Sequence, residues 1–158
     1  MRLIETERNN KPNKTTVSAD NNLRYHEIHQ ALSEFLDAVP SGERVIVGIE
    51  GFAYTPGAGR NLLNTAQAVG VIKGTLFSRG KLPFEFKPNE VKKTLLGTNS
   101  GSKQDIQDAL ERLYPNLVDL LGAYAKGKWE HLTDAVALCE CAFEEYAQRK
   151  LYLGGIEA

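Results

Sequence analysis

Residues 44–50 read RVIVGIE, an apolar run rich in β-branched residues that ends in the carboxylate of Glu50. Such a run is typical of a strand covered by helices, so we predict a buried strand here, within an α/β fold. Sites in open α/β sheets form at the carboxyl ends of the strands, which is where Glu50 stands. A carboxylate at that position either belongs to a site or caps the next element in water, and the run alone leaves both interpretations open.

A second polar cluster, His131 and Asp134, opens a helix predicted over residues 131–150. Apolar residues recur there at three- and four-residue steps. They form one stripe, which is predicted to pack inward: Leu132, Ala135, Val136, Cys139, Phe143 and Tyr146. His131 and Asp134 lie on one face near the helix start, beside this stripe, so we expect both to be partly buried against the sheet.

An imidazole and a carboxylate one turn apart, together with Glu50, form a plausible ligand set for a hard divalent cation. The alternative is an aspartate that accepts hydrogen bonds at a helix N-terminus, with an exposed histidine beside it. The local pattern does not decide between these interpretations.

Three segments in this order resemble the RuvC-like Holliday-junction resolvases of the RNase H-like superfamily, most strongly from Val45 to Phe143. The first is the strand ending at Glu50 with the small-residue helix at 64–74; the second is residues 88–107; the third is residues 131–135. The resemblance implies an RNase H-like mixed sheet flanked by helices.

The resemblance also implies roles for individual residues. Glu50 and Asp134 match metal-binding carboxylates, and His131 occupies a position where the family carries Asp or His. Lys92 and Lys103 match two lysines linked to phosphate contact and catalysis. The predicted catalytic residues are therefore these five, of which the first three are the predicted metal ligands.

Phe52 and Tyr54 fall in the loop where the family places an aromatic wedge that enters the DNA junction, and which of the two would do so stays open. With Arg60 and Lys93, and with the two lysines named above, they complete the predicted DNA-binding set.

The implied activity is that of a magnesium-dependent, structure-selective DNA endonuclease, with Mn²⁺ as a substitute, that resolves four-way junctions as a homodimer. The family's first strand carries a further metal-binding aspartate, which this sequence lacks. We therefore expect the chain to begin at least one strand late, with Glu5 as a weaker substitute. Two alternatives stay open: a catalytically impaired RuvC-like DNA-binding protein, and another RNase H-like nuclease acting on flaps or RNA–DNA hybrids.

Composition agrees with one domain, predicted over residues 1–150, with a flexible tail at 151–158. The net charge is −1, yet residues 73–103 are rich in lysine and can form a phosphate-binding face. Cys139 and Cys141 have no zinc-site spacing and suit a reducing, cytoplasmic setting. The sequence shows no membrane-spanning run, so no membrane partner is expected.

Capping and turn signals give the remaining elements. We predict a hairpin over residues 2–8 and 14–18, helices over 20–39, 61–78, 88–96 and 103–113, a strand over 82–87, and an irregular segment over 115–130. Leu113 is expected on the inner face of the fourth helix. Small residues at 66, 70 and 74 are expected to allow close approach of the sheet or of a second subunit.

Overall fold

The computed structural model describes residues 17–51 and 59–152, with side chains over residues 19–51 and 62–150. The elements are α1 (Val17–Asp37), β1 (Gly48–Glu50), α2 (Gly59–Ser78), β2 (Phe84–Phe86), α3 (Pro88–Leu96), α4 (Lys103–Leu113), α5 (Leu117–Gly122), a 3-10 turn (Lys126–Lys128) and α6 (Trp129–Tyr152). The α/β prediction is confirmed. Contacts divide the described chain into two compact units, one containing the sheet and the other containing α1 and α2.

In the sheet unit, β1 and β2 pair in parallel, with Gly48 opposite Phe84 and Glu50 opposite Phe86. Parallel neighbours need a crossover connection, which here contains α2. The strand predicted over residues 44–50 is shorter than expected, and its apolar residues are half-buried instead of buried. The strand ends at Glu50 as predicted, and the residues that it lacks are at its start, where the Phe84 N–H still donates to the Val47 carbonyl at 2.8 Å.

Helix α6 packs directly on β1. A Cβ added to Gly48 would lie 2.4 Å from the carbonyl oxygen of Leu138 and 3.1 Å from the Cβ of Ala142. The buried face of α6 consists of small or slender side chains together with one leucine: Leu132, Thr133, Ala137, Cys141 and Ala142. Only such a face can approach a strand glycine this closely.

The apolar stripe predicted for this helix is therefore wrong in part. Ala135, Cys139 and Phe143 are exposed, and the side chain of Phe143 is 58% accessible. The hydrophobic periodicity of the sequence predicted that the side of α6 with the bulkier residues faces inward. In the structure the side of α6 with the smaller residues faces β1, because the close approach of helix and strand leaves no room for an aromatic ring.

Capping residues set the ends of α3 and α4 as predicted. Pro88 opens α3, and Gly97 ends it with a φ of 71°, the left-handed conformation that favours glycine. Ser102 caps α4: its backbone N–H and hydroxyl both donate to Asp105, and its hydroxyl accepts from the Asp105 backbone. The backbone and hydroxyl hydrogen bonds from Ser102 hold the pKa of Asp105 below its usual value of 3.8.

Two further expectations about this unit are wrong. Leu113 is 54% exposed although it has the spacing of the buried residues Ile106 and Leu110, because it is the last residue of α4. The segment predicted as irregular over 115–130 contains α5, which buries Leu117 and Leu121. Six residues are too short to show a helical repeat in the sequence.

The second unit pairs α1 with α2 through polar side chains. The hydroxyl of Tyr25 donates to the Asn64 carbonyl at 3.2 Å, and His29 Nδ1 lies 2.8 Å from Thr75 Oγ1. Because α1 begins at Val17, residues 17 and 18 are helical and not part of the predicted hairpin, whose first strand lies outside the described residues.

Two glycines of the small-residue stripe of α2 have open space beside them. A Cβ added to Gly70 or Gly74 would meet no described atom within 4 Å. Both expected neighbours of this stripe, the sheet and a second subunit, stay predictions.

Candidate functional site

Glu50 is the last residue of β1, and its side chain is exposed. Residues two apart in a strand share a face, so Glu50 lies on the same face as Gly48, which is the face that α6 covers. The sequence prediction of a carboxylate at the sheet's edge is therefore met by the backbone geometry.

His131 and Asp134 lie in the first turns of α6, and both side chains are exposed. The expected partial burial is wrong. The two residues between them, Leu132 and Thr133, take the inward positions and are 2% and 6% accessible. His131 and Asp134 consequently lie on the accessible side of the helix, where a large anionic ligand could reach them.

The predicted metal ligands do not come together as a three-ligand site. Over residues 17–51 and 59–152, no three His, Cys, Asp or Glu side chains lie close enough together to hold a metal ion. The donor types of Glu50, His131 and Asp134 suit a hard divalent cation. Their geometry in the described chain does not itself form a complete site, so their role as ligands stays a prediction.

A surface pocket of about 160 Å³ does bring predicted site residues together. It lies between the first turns of α4 and α6, and six residues of polar type line it: Lys103, Gln104, Gln107, Glu130, Thr133 and Asp134. Two of these residues, Lys103 and Asp134, are members of the predicted catalytic set. A cation and a carboxylate that are far apart in the sequence thus share one pocket.

Glu130 is a pocket residue that the sequence did not identify. Its carboxylate accepts a hydrogen bond from the ammonium group of Lys103 and forms an ion pair with it. The two residues are 27 positions apart, so neither helical spacing nor any local motif could relate them.

Thr133 contributes an unusual polar group to the same pocket. Its hydroxyl is buried and has no hydrogen-bond partner among the described residues. A buried hydroxyl without a partner is costly, so a group that can accept or donate at this position would be stabilising.

The other predicted DNA-binding residues lie elsewhere or outside the description. Lys92 and Lys93 are on α3, half-buried and exposed respectively, and do not line the pocket. Phe52 and Tyr54 lie outside the described residues. The backbone of Arg60 lies in α2, but its side chain is not described.

Three other side chains in this unit have raised pKa values that favour their neutral forms: Tyr114, Cys139 and Cys141. Burial raises the pKa of the Cys141 thiol to about 11, which disfavours the thiolate that zinc binding requires. The hydrogen bond from Tyr114 to Glu140 raises the pKa of that phenol to about 12. Among the described helices, none combines the length and apolar character of a membrane span.

Comparison with known proteins gives consistent matches. A family model described as "Crossover junction endodeoxyribonuclease RuvC" matches residues 13–142. The crossover junction endodeoxyribonuclease RuvC of Bartonella bacilliformis is 27% identical over 119 residues, which cover 75% of this chain and 64% of that protein. This chain thus spans just under two thirds of the relative's length. The Thermus thermophilus RuvC structure shares the fold, with a TM-score of 0.58 and 20% identity over 81% of this chain and 70% of that chain.

Proposed function

Because the chain belongs to the RuvC family, we propose that it is a structure-selective endonuclease that hydrolyses phosphodiesters at four-way DNA junctions. The observation that carries this proposal is the polar pocket shared by Lys103 and Asp134. Both residues fall within the segment that matches the family, and both were candidates from the sequence alone.

The pocket has the charges that phosphodiester chemistry needs. An ammonium group such as that of Lys103 binds a non-bridging phosphate oxygen and counters charge that develops on the phosphate. The carboxylate of Asp134 would attract a cation to the same pocket.

The proposed cofactor is Mg²⁺, with Mn²⁺ as a substitute, and the proposed ligands are Glu50, His131 and Asp134. A bound divalent ion supplies an activated water and stabilises the leaving oxygen. Of these ligands, Asp134 has the strongest support because it lines the pocket. Glu50 is supported by its place on the α6-facing side of β1.

A second candidate function is junction binding without cutting. It is favoured by the absence of a three-ligand group among residues 17–51 and 59–152. Magnesium-dependent nicking of a junction would support the enzyme, and tight binding with no nicking would support the second candidate. The third interpretation, a nuclease for flaps or RNA–DNA hybrids, has no separate structural support.

We further propose that the chain acts as a homodimer in the cytoplasm. Two symmetric nicks across a junction require two sites related by a two-fold axis. The open face at Gly70 and Gly74 leaves room for a second subunit. The free thiols of Cys139 and Cys141 suit a reducing compartment.

Replacing Lys92 or Lys103 by Ala is expected to weaken binding to a four-way junction and to reduce its salt dependence. Each phosphate contact that is lost should lower the slope of log K against log[salt] by about 0.7–0.9. Fluorescence anisotropy with a labelled junction at several salt concentrations measures both effects.

Lys150→Ala is a suitable control for the lysine substitutions. It removes the same charge from an exposed position at the far end of α6. An unchanged slope for Lys103→Ala, or an equal decrease for the control, would count against phosphate contact by Lys103.

A further inference from the structure

Glu130 pairs with Lys103, the lysine that we propose to contact a DNA phosphate. Its carboxylate is paired with the Lys103 ammonium group, and both side chains line the pocket. Glu130 is four residues before Asp134, so the two carboxylates lie on the same side of α6. We infer, on the basis of the proposed function, that Glu130 is an internal counter-ion: it pairs with Lys103 in the free protein and competes with the DNA phosphate that replaces it on binding.

Exchange of this kind requires an ion pair that is easily broken. The side chains of Lys103 and Glu130 are 69% and 55% accessible, and exposed ion pairs contribute little to stability. A DNA phosphate brings the same charge as Glu130, and its position among many phosphates gives a more negative local potential. Glu130 therefore serves as a built-in counter-ion that DNA displaces.

The helix supplies a second partner for Glu130 once Lys103 has left. Glu130 lies in the first turn of α6, where the helix dipole and the free backbone N–H groups stabilise a negative charge. Release of the lysine therefore does not leave an uncompensated carboxylate.

The position of Lys103 keeps this exchange at the pocket. Lys103 is the first residue of α4, so its backbone is fixed by the capping interactions of Ser102 and Asp105. Its four-carbon side chain is otherwise free to move through solvent, at an entropic cost when it is ordered. Pairing with Glu130 limits that motion to the neighbourhood of Asp134, next to the proposed site of reaction.

The test is a double-mutant cycle on junction affinity. Wild type, Glu130→Gln, Lys103→Ala and the double variant of the full chain are titrated against a labelled four-way junction at low salt. Glu130→Gln should bind roughly two- to fivefold more tightly than wild type, because the internal competitor for Lys103 is gone. When Lys103 is already replaced by Ala, Glu130→Gln should change the junction affinity no more than the removal of a negative charge far from the pocket does.

Glu144→Gln supplies that remote charge change. Glu144 is exposed on the same helix, and it does not line the pocket. Circular dichroism of each variant should match the wild type, since all three positions are exposed.

The outcomes separate the inference from the proposed function. If wild type binds the junction but Glu130→Gln binds no more tightly, the inference is overturned and the proposed function stands. Glu130→Gln could also raise the junction affinity equally with and without Lys103, or Glu144→Gln could raise it by the same amount. Either result would mean that Glu130 only repels DNA as any negative charge does, and would overturn the inference. Failure of the wild-type chain to bind any branched DNA would overturn the proposed function, and the inference with it.

Discussion

Asp134→Asn is expected to abolish junction cutting while the protein stays folded. The substitution keeps the shape of the side chain and removes the charge that the proposed chemistry requires at the pocket. Loss of one such electrostatic group lowers the rate by on the order of 10²–10³, and loss of a metal ligand lowers it further. Because Asp134 is exposed, the free energy of unfolding should change by less than about 0.5 kcal/mol.

The measurement is nicking of a fluorescent four-way junction in magnesium buffer, with Glu144→Gln as a control that alters charge on the same helix. A second readout is Mn²⁺ binding, followed by electron paramagnetic resonance, which should weaken in Asp134→Asn and stay unchanged in the control. Undiminished cutting by Asp134→Asn would remove this residue from the mechanism.

Gly48→Ala is expected to have the largest effect on stability. The new Cβ would lie 2.4 Å from the carbonyl oxygen and 2.9 Å from the carbonyl carbon of Leu138, and both are backbone atoms inside α6. The helix cannot move a single carbonyl aside without shifting as a unit. Overpacking of this kind costs about 1–3 kcal/mol, and more when backbone atoms are the obstacle.

The same clash should also affect the site. Asp134 is on α6 and Glu50 is on β1, so moving the helix off the strand changes their separation. Gly48→Ala should therefore reduce junction cutting by more than its folded fraction explains.

Urea denaturation followed by circular dichroism measures the loss of stability. Gly70→Ala is the matched control, because a Cβ there would meet no described atom within 4 Å and alanine favours a helix interior by roughly 0.5–1 kcal/mol. We expect the urea concentration at the unfolding midpoint to fall for Gly48→Ala and to stay unchanged or rise for Gly70→Ala. Equal midpoints for Gly48→Ala and wild type would contradict the close packing of α6 on β1.

Local signals in the sequence predicted the elements whose ends they control. Pro88 and Gly97 marked α3, and Ser102 with Asp105 marked α4, because capping depends on residues that are neighbours in the chain. Apolar periodicity predicted α6, because residues three and four apart in a helix lie on one face.

Predictions that depend on packing were less successful. The inward face of α6 is set by the approach of Leu138 and Ala142 to Gly48, a contact between segments about ninety residues apart. Sequence periodicity could not weigh close approach against bulk, and so it placed Phe143 inward. The expected burial of His131 and Asp134 failed with it.

The candidate site was predicted in part. The resemblance to the family identified Lys103 and Asp134, which the structure brings to one pocket. The partner of the lysine, Glu130, depends on a contact between α4 and α6 that no local pattern encodes. The same limit applies to the buried hydroxyl of Thr133, which the sequence shows only as a residue between Leu132 and Asp134.

Cutting of a four-way junction, compared with a linear duplex of the same sequence, tests the proposed function most directly. The wild-type chain should nick the junction near the branch point on two opposing strands in magnesium, leave the duplex intact, and lose all cutting when the metal is chelated. Equal cutting of both DNAs, or no cutting of the junction by a chain that binds it, would contradict the proposed endonuclease.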